Sequence, residues 1–190
     1  MRNFSEKQIE SCIENSVQAI TLLLKKIDLI KHAGGMISHA LKSGNKIITA
    51  GNGGSAAEAL HLSEELIGRY KYDRKSLAAL SLSADCTALT CIANDYGFES
   101  IYSRQIEGLG QEGDIFVAFS TSGNSENIIK AVKAAKAANM KVVSLLGKTG
   151  GQLNGMGDCD IVVPSQNTEN VQEAHQVILH ILLEIVEAGL

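Results

Sequence analysis

Tryptophan is absent from the 190-residue chain and aromatic residues make up only 4% of it, which argues against a base-stacking platform for nucleic acid. Basic residues are outnumbered: 17 Lys and Arg stand against 21 Asp and Glu, for a formal net charge of -4. That balance excludes a large basic footprint. No apolar run approaches the roughly 20 residues that a membrane-spanning helix needs. The N-terminus, MRNFSEKQIE, is polar and lacks the apolar stretch of a secretory signal, so a cytoplasmic protein is the expectation. The four cysteines, Cys12, Cys86, Cys91 and Cys159, form no C-x-x-C pair and no zinc-finger spacing. They read as buried small hydrophobes or free thiols rather than metal ligands. Proline occurs once, at Pro164. What is present suffices for a core. Hydrophobic residues make up 45% and charged residues 20%, which argues against disorder.

Eighteen glycines cluster after apolar runs, as strand-to-helix turns of an α/β fold would require. The first stretch, 5–31, reads as one helix. Ile9, Ile13, Ser16, Ile20, Leu23, Ile27 and Ile30 recur at alternating steps of four and three, a heptad-like seam with one polar position. Such a stripe packs either on its own domain or in a bundle shared between subunits. A second helix is expected over 36–41. Strands follow at 46–50, 77–82, 114–119, 141–146 and 160–163. Helices are expected at 56–69, 87–93, 99–107, 126–138 and 169–187. Strand, turn and helix in alternation predict an α/β fold with a doubly wound, five-stranded parallel sheet covered by helices on both faces. The expected organisation is one domain over 1–190, with a helical extension at 1–44 and an α/β core at 45–190. Ligands of such sheets bind beyond the carboxyl ends of the strands, where two glycine- and serine-rich turns fall.

The stronger of these turns is Ser120-Thr121-Ser122-Gly123-Asn124-Ser125. Four hydroxyls and several backbone N–H groups converge where a strand hands over to a helix, an arrangement that attracts anions. No lysine follows as in a nucleotide-cleaving P-loop, so the loop suits holding a phosphate. An ordinary N-cap would need only one serine. Gly51-Asn52-Gly53-Gly54-Ser55 contains no G-x-G-x-x-G and by itself is either a tight turn or part of the same site. On the helix after it, His61 and Glu65 are four residues apart and share a face. That pair fits a shared metal ion, an acid–base couple or a plain surface contact. Arg69 lies one turn further and is placed to meet an anion or to be solvated. The final helix is apolar nearly all round, interrupted by Gln172, His175 and His180. Gln172 and His180 are separated by about 12 Å along the axis, so a neighbouring subunit is the simplest way for both to serve one kind of site.

These residues carry a resemblance. The runs GNGGSAAEALHLSEELIGRY (51–70), LTCIANDYGFESIYSRQIEGLGQEGD (89–114), FSTSGNSENIIKAVKAAK (119–136) and NVQEAHQVILHILLEIVE (170–187) together resemble the phosphoheptose isomerase family, also called sedoheptulose-7-phosphate isomerases, of the sugar isomerase (SIS) domain proteins. The likeness extends over essentially the whole chain. It implies an SIS-type fold whose N-terminal helices pack in an oligomeric bundle, and a homotetramer with active sites between subunits. It also implies isomerisation of sedoheptulose 7-phosphate to D-glycero-D-manno-heptose 7-phosphate, the entry to the heptose of lipopolysaccharide. The family's catalytic pair falls on Glu65 and His180, and its zinc ligands on His61, Glu65, Gln172 and His180. Its substrate contacts fall on Asn52, Gly53, Gly54, Asn94, Asp95, Ser120, Thr121, Ser122, Ser125 and Gln172, with Ser55 close by. No nucleotide or redox cofactor is required, and no nucleic-acid or membrane partner is expected.

An aldose–ketose isomerase must move a proton between adjacent carbons and stabilise the enediolate between them. Glu65 is the expected base and His180 the expected proton donor and acceptor at oxygen. Two rivals stand beside this. One is an SIS adaptor that binds the bacterial replication initiator; such adaptors tend to lack the Glu and His present here. The other is a sugar-phosphate sensor without turnover.

Overall fold

The computed structural model describes residues 4–190. Its sheet is five-stranded and wholly parallel in the order β2-β1-β3-β4-β5. The strands are β1 (Ile47–Gly51), β2 (Ala79–Ser81), β3 (Ile115–Ser120), β4 (Lys141–Gly147) and β5 (Cys159–Val163). The helices are α1 (Glu6–Thr21), α2 (Ile27–Lys42), α3 (Gly54–Ile67), α4 (Cys86–Tyr96), α5 (Ser103–Leu109), α6 (Glu126–Ala137) and α7 (Thr168–Gly189). This is the α/β architecture expected from the sequence.

Successive strand residues point to opposite faces, and both faces are covered. Ile47, Val117, Phe119, Val143, Leu145 and Ile161 meet α2, α3 and α7 on one side. Ile48, Phe116, Ala118, Val142 and Leu146 meet α5 and α6 on the other. Burial on both sides explains why the strands read as continuous apolar runs. At the amino ends, buried Asp114 accepts the Lys46 N–H at 2.9 Å and pairs with the Lys46 ammonium at 2.6 Å. That pair sets β1 and β3 in register, Ile47 opposite Ile115, so that Gly51 ends opposite Phe119. The chain reverses its direction of travel across the sheet between these two strands, the place where open α/β sheets bind ligands.

The N-terminal helices depart from expectation. The predicted helix over 5–31 breaks into a 3-10 turn at Leu22–Lys26, and α2 runs unbroken from Ile27 to Lys42 instead of starting at residue 36. The Thr21 hydroxyl bonds back to the Val17 carbonyl at 2.7 Å, a contact that bends helices. Gly34, in the gap between the two expected helices, lies inside α2, where α7 closes on it: a Cβ there would come within 2.8 Å of Ile185. The apolar seam divides accordingly. Leu23 and Ile30 are buried in the chain's own core, whereas Ile9, Ile13, Val17 and Ile27 are exposed. Among the described residues no helix is long and apolar enough to cross a membrane.

Candidate active site

The first part of the site is backbone. β3 ends in buried Ser120, whose hydroxyl accepts the Gly123 N–H at 3.1 Å. The Ser122 hydroxyl accepts the Asn124 N–H at 3.1 Å, and the Asn124 side-chain oxygen accepts the Gln152 N–H at 3.0 Å. Gly123 adopts φ +65°, and a Cβ there would run into the Gly150 carbonyl. Only glycine fits both demands. Ser125 stands at the N-cap of α6 without making a side-chain cap bond, so its hydroxyl and the positive end of the helix are left for an anion.

The β1 turn lies alongside. Asn52 and Asn127 exchange amide hydrogen bonds of 2.9 and 2.8 Å, tying this turn to the first turn of α6. The Tyr102 hydroxyl donates to the Gly51 carbonyl and lies 3.2 Å from the Ser83 hydroxyl. Ser55 is buried, while Gly53 and Gly54 are open. A cavity of about 400 Å³ adjoins the turn, lined by Asn52, Gly53, Ser83, Phe98 and Tyr102 among others. A larger one, about 500 Å³, lies at the opposite end of the strands beside His32, His39, Lys141 and Asp158; none of the predicted site residues lines it.

The second part is made of side chains from two helices. His61 Nε2 of α3 lies 3.4 Å from a Glu65 oxygen and 4.0 Å from a Glu64 oxygen. From α7, Gln176 Nε2 lies 2.6 Å from His61 Nδ1 and 3.2 Å from His180 Nε2. The two imidazoles meet edge to face at 5.3 Å. The amide NH2 carries two hydrogens, one for each facing ring nitrogen, His61 Nδ1 and His180 Nε2. Burial pushes the His180 imidazole below its ordinary value, and His61 adds to the shift while Glu65 opposes it. A neutral imidazole with one donor and one acceptor nitrogen results.

His61, Glu65 and His180 are thus gathered within one chain. Gln172 is not with them. It packs against Gly54 at the β1 turn, about 10 Å along α3 from His61, and Gln176 holds the place between the histidines. Asn94 and Asp95 are exposed on α4 and bond to each other at 2.7 Å. Arg69 is exposed. His175, not His180, is the core histidine: it is fully buried, 3.2 Å from the Leu146 carbonyl and 3.9 Å from buried Glu58. Sequence reasoning missed Gln176, Tyr102 and Asn127. Gln176 carried one signal, being four residues before His180 and so on the same face. The others are set by contacts remote in sequence.

His61, Glu64 and Glu65 form the one group among the described residues whose ligand atoms lie within 4.8 Å of one another. Nitrogen and carboxylate oxygen donors of this kind suit a divalent transition metal such as zinc.

The sequence model of the family described as SIS domain matches residues 14–147. A phosphoheptose isomerase of Helicobacter hepaticus is 44% identical over 180 residues, covering 95% of this chain and 92% of that protein. Phosphoheptose isomerase 1 of Campylobacter jejuni is 45% identical over 187 residues, covering 98% of both. Among solved structures, a phosphoheptose isomerase from Neisseria gonorrhoeae superposes with a TM-score of 0.91 at 36% identity, covering 96% of this chain and 98% of that one. One from Francisella tularensis gives 0.92 at 36% identity, covering 96% and 97%.

Proposed function

From the premise that the chain belongs to the SIS domain family, among its phosphoheptose isomerases, we propose that it is an aldose–ketose isomerase converting sedoheptulose 7-phosphate to D-glycero-D-manno-heptose 7-phosphate. The observation that best supports this is the placement of Glu65 and His180 around His61 on two neighbouring helices, with a hydroxyl-lined helix N-terminus at the strand ends for the phosphate.

The phosphate binds on the N–H groups and hydroxyls of Ser120, Thr121, Ser122 and Ser125. That remote grip orients the reacting carbons and contributes binding energy toward the transition state. Glu65 takes a proton from C1 of the ketose and returns it to C2. His180, neutral and able both to donate and to accept, passes a proton to the carbonyl oxygen at C2 and receives one from the hydroxyl at C1. The bonds balance without oxidant or reductant. Asn52, Gly53, Gly54, Ser55 and Gln172 line the turn between the two ends, and Asn94 and Asp95 contact the sugar. His61 and Glu65, with His180 beside them, would hold zinc, and the fourth ligand that the family resemblance puts at Gln172 would have to come from a neighbouring subunit, because this chain's own Gln172 lies at the β1 turn. A bound zinc ion supplies Lewis-acid polarisation of the sugar oxygens.

The active assembly is a homotetramer. The exposed apolar row Ile9, Ile13, Val17 and Ile27 on α1 and the start of α2 supports a helical bundle between subunits. The outward placement of Asn94 and Asp95 supports sites completed by a neighbour. Residues 1–190 act as one domain, in the cytoplasm, at the first step toward the heptose of lipopolysaccharide, with no nucleic-acid or membrane partner. Incubation with sedoheptulose 7-phosphate, followed by NMR of the sugar, tests the activity. The aldose is the expected product. An unchanged ketose, with the protein folded and zinc supplied, would overturn the assignment.

A further inference from the structure

Beyond α3 the chain doubles back to the C-terminal end of α7, where one carboxylate collects it. Glu187, 3% exposed at its side chain, accepts the backbone N–H groups of Tyr70 at 3.1 Å, Lys71 at 3.0 Å and Tyr72 at 3.3 Å. It also accepts the Arg74 Nε at 3.0 Å. The remaining Arg74 nitrogens donate to the carbonyls of Glu65 at 2.8 Å, Leu66 at 3.0 Å and Lys75 at 3.2 Å. One buried ion pair therefore holds the end of α3, the 70–74 segment and the end of α7 together. Charge-assisted bonds of this kind are the stronger and more directional ones.

The side chain that this clamp presents is Tyr70. Its ring lies face to face with the His180 imidazole, 5.6 Å between centroids and 16° between planes. On another side of His180 stands His61, edge-on at 5.3 Å, and Gln176 bonds to its Nε2. We propose that Tyr70, held by the Glu187–Arg74 clamp, is a positioning residue for the isomerisation. Its ring fixes the plane of the His180 imidazole, so that proton transfer at the sugar oxygens starts from an aligned nitrogen. This rests on the role assigned to His180 above. A group misplaced by about 1 Å costs on the order of 100-fold in rate, so a lost ring face shows as a slower chemical step. The phosphate cradle belongs to β3 and α6 and is untouched.

The test compares Tyr70→Phe, which keeps the ring face, with Tyr70→Leu, which keeps bulk and removes it. Both are assayed in the full-length, zinc-supplied enzyme with sedoheptulose 7-phosphate, and thermal unfolding is recorded in parallel. Tyr70→Phe is expected within twofold of wild type in kcat and KM. Tyr70→Leu is expected to lose about 5- to 20-fold in kcat with KM within twofold and an unfolding midpoint close to wild type. Wild-type kcat in Tyr70→Leu overturns the inference, as does a loss that Tyr70→Phe shares. An inactive wild type would remove the functional reading itself and this inference with it, whereas an active wild type with an unaffected Tyr70→Leu removes only the inference.

Discussion

The proposed anion cradle draws on six consecutive residues at one strand end, Ser120–Ser125, and is held by bonds within its own turn and by one from the Gln152 N–H. The proposed proton-transfer cluster takes His61 and Glu65 from α3 and Gln176 and His180 from α7, across 115 positions of sequence between His61 and Gln176. The cradle offers mainly backbone N–H groups and a helix terminus, which any chain entering that turn must present. The cluster offers side chains alone, half-exposed, and its geometry depends on how two helices pack. Under the proposed function the first part grips and the second part reacts, so damage to each should register on a different kinetic constant.

The largest expected effect lies at the reacting end. Glu65→Gln keeps the shape and removes the base, and kcat should fall by about 10²- to 10⁴-fold while KM stays near wild type and the protein remains folded. His180→Gln should behave alike. The cradle should show the reverse. Thr121→Val removes a hydroxyl at nearly constant volume. Loss of a hydrogen bond to a charged group, about 1.5–3 kcal/mol, should raise both KM and the inhibition constant of inorganic phosphate by about tenfold or more, with kcat nearly kept. A comparable kcat loss in Thr121→Val would erase the distinction between the two parts.

Asn127→Asp cuts across the comparison. Asn127 is 2% exposed and joins the β1 turn to α6. An aspartate can no longer donate to Asn52 and brings a negative charge toward the cradle, so KM should rise by roughly 10-fold and kcat should fall by less. The smallest effect is one of stability. Burial alone would raise the Glu187 carboxyl, but the N–H groups of Lys71 and Tyr70, the Arg74 guanidinium and the Tyr72 N–H outweigh it and hold it below the usual carboxylate range. A carboxylate depressed in the folded state adds stability above its unfolded value, about 4.3, and that stability is lost as pH falls through the folded value. Unfolding midpoints measured on acidification should therefore decline less steeply in Glu187→Gln than in wild type.

The turn at 120–125 was legible in the sequence because its signals are local: a strand, a glycine and a row of hydroxyls before a helix. Strands β1, β3 and β4 were legible because burial on both faces makes them apolar runs, whereas the edge strands β2 and β5 are buried only in part. The α1–α2 junction was not legible, since the apolar pattern runs on through Leu22–Lys26 without a break, and α2 continues through Gly34, where α7 packs against it. In the final helix, spacing alone marked His175 and His180 as similar interruptions, and only the three-dimensional packing turns one into the core and the other toward His61. Tyr70 had no sequence signal at all. Its place depends on Glu187, 117 positions away.

The central claim is that Glu65 carries a proton between two carbons while His180 serves the oxygens, and isomerisation in deuterium oxide tests it most directly. A carboxylate base exchanges part of its proton with solvent, so the heptose 7-phosphate formed should carry deuterium at C2, detectable by NMR, and Glu65→Gln should form little product. Product formed by Glu65→Gln at the wild-type rate would contradict it.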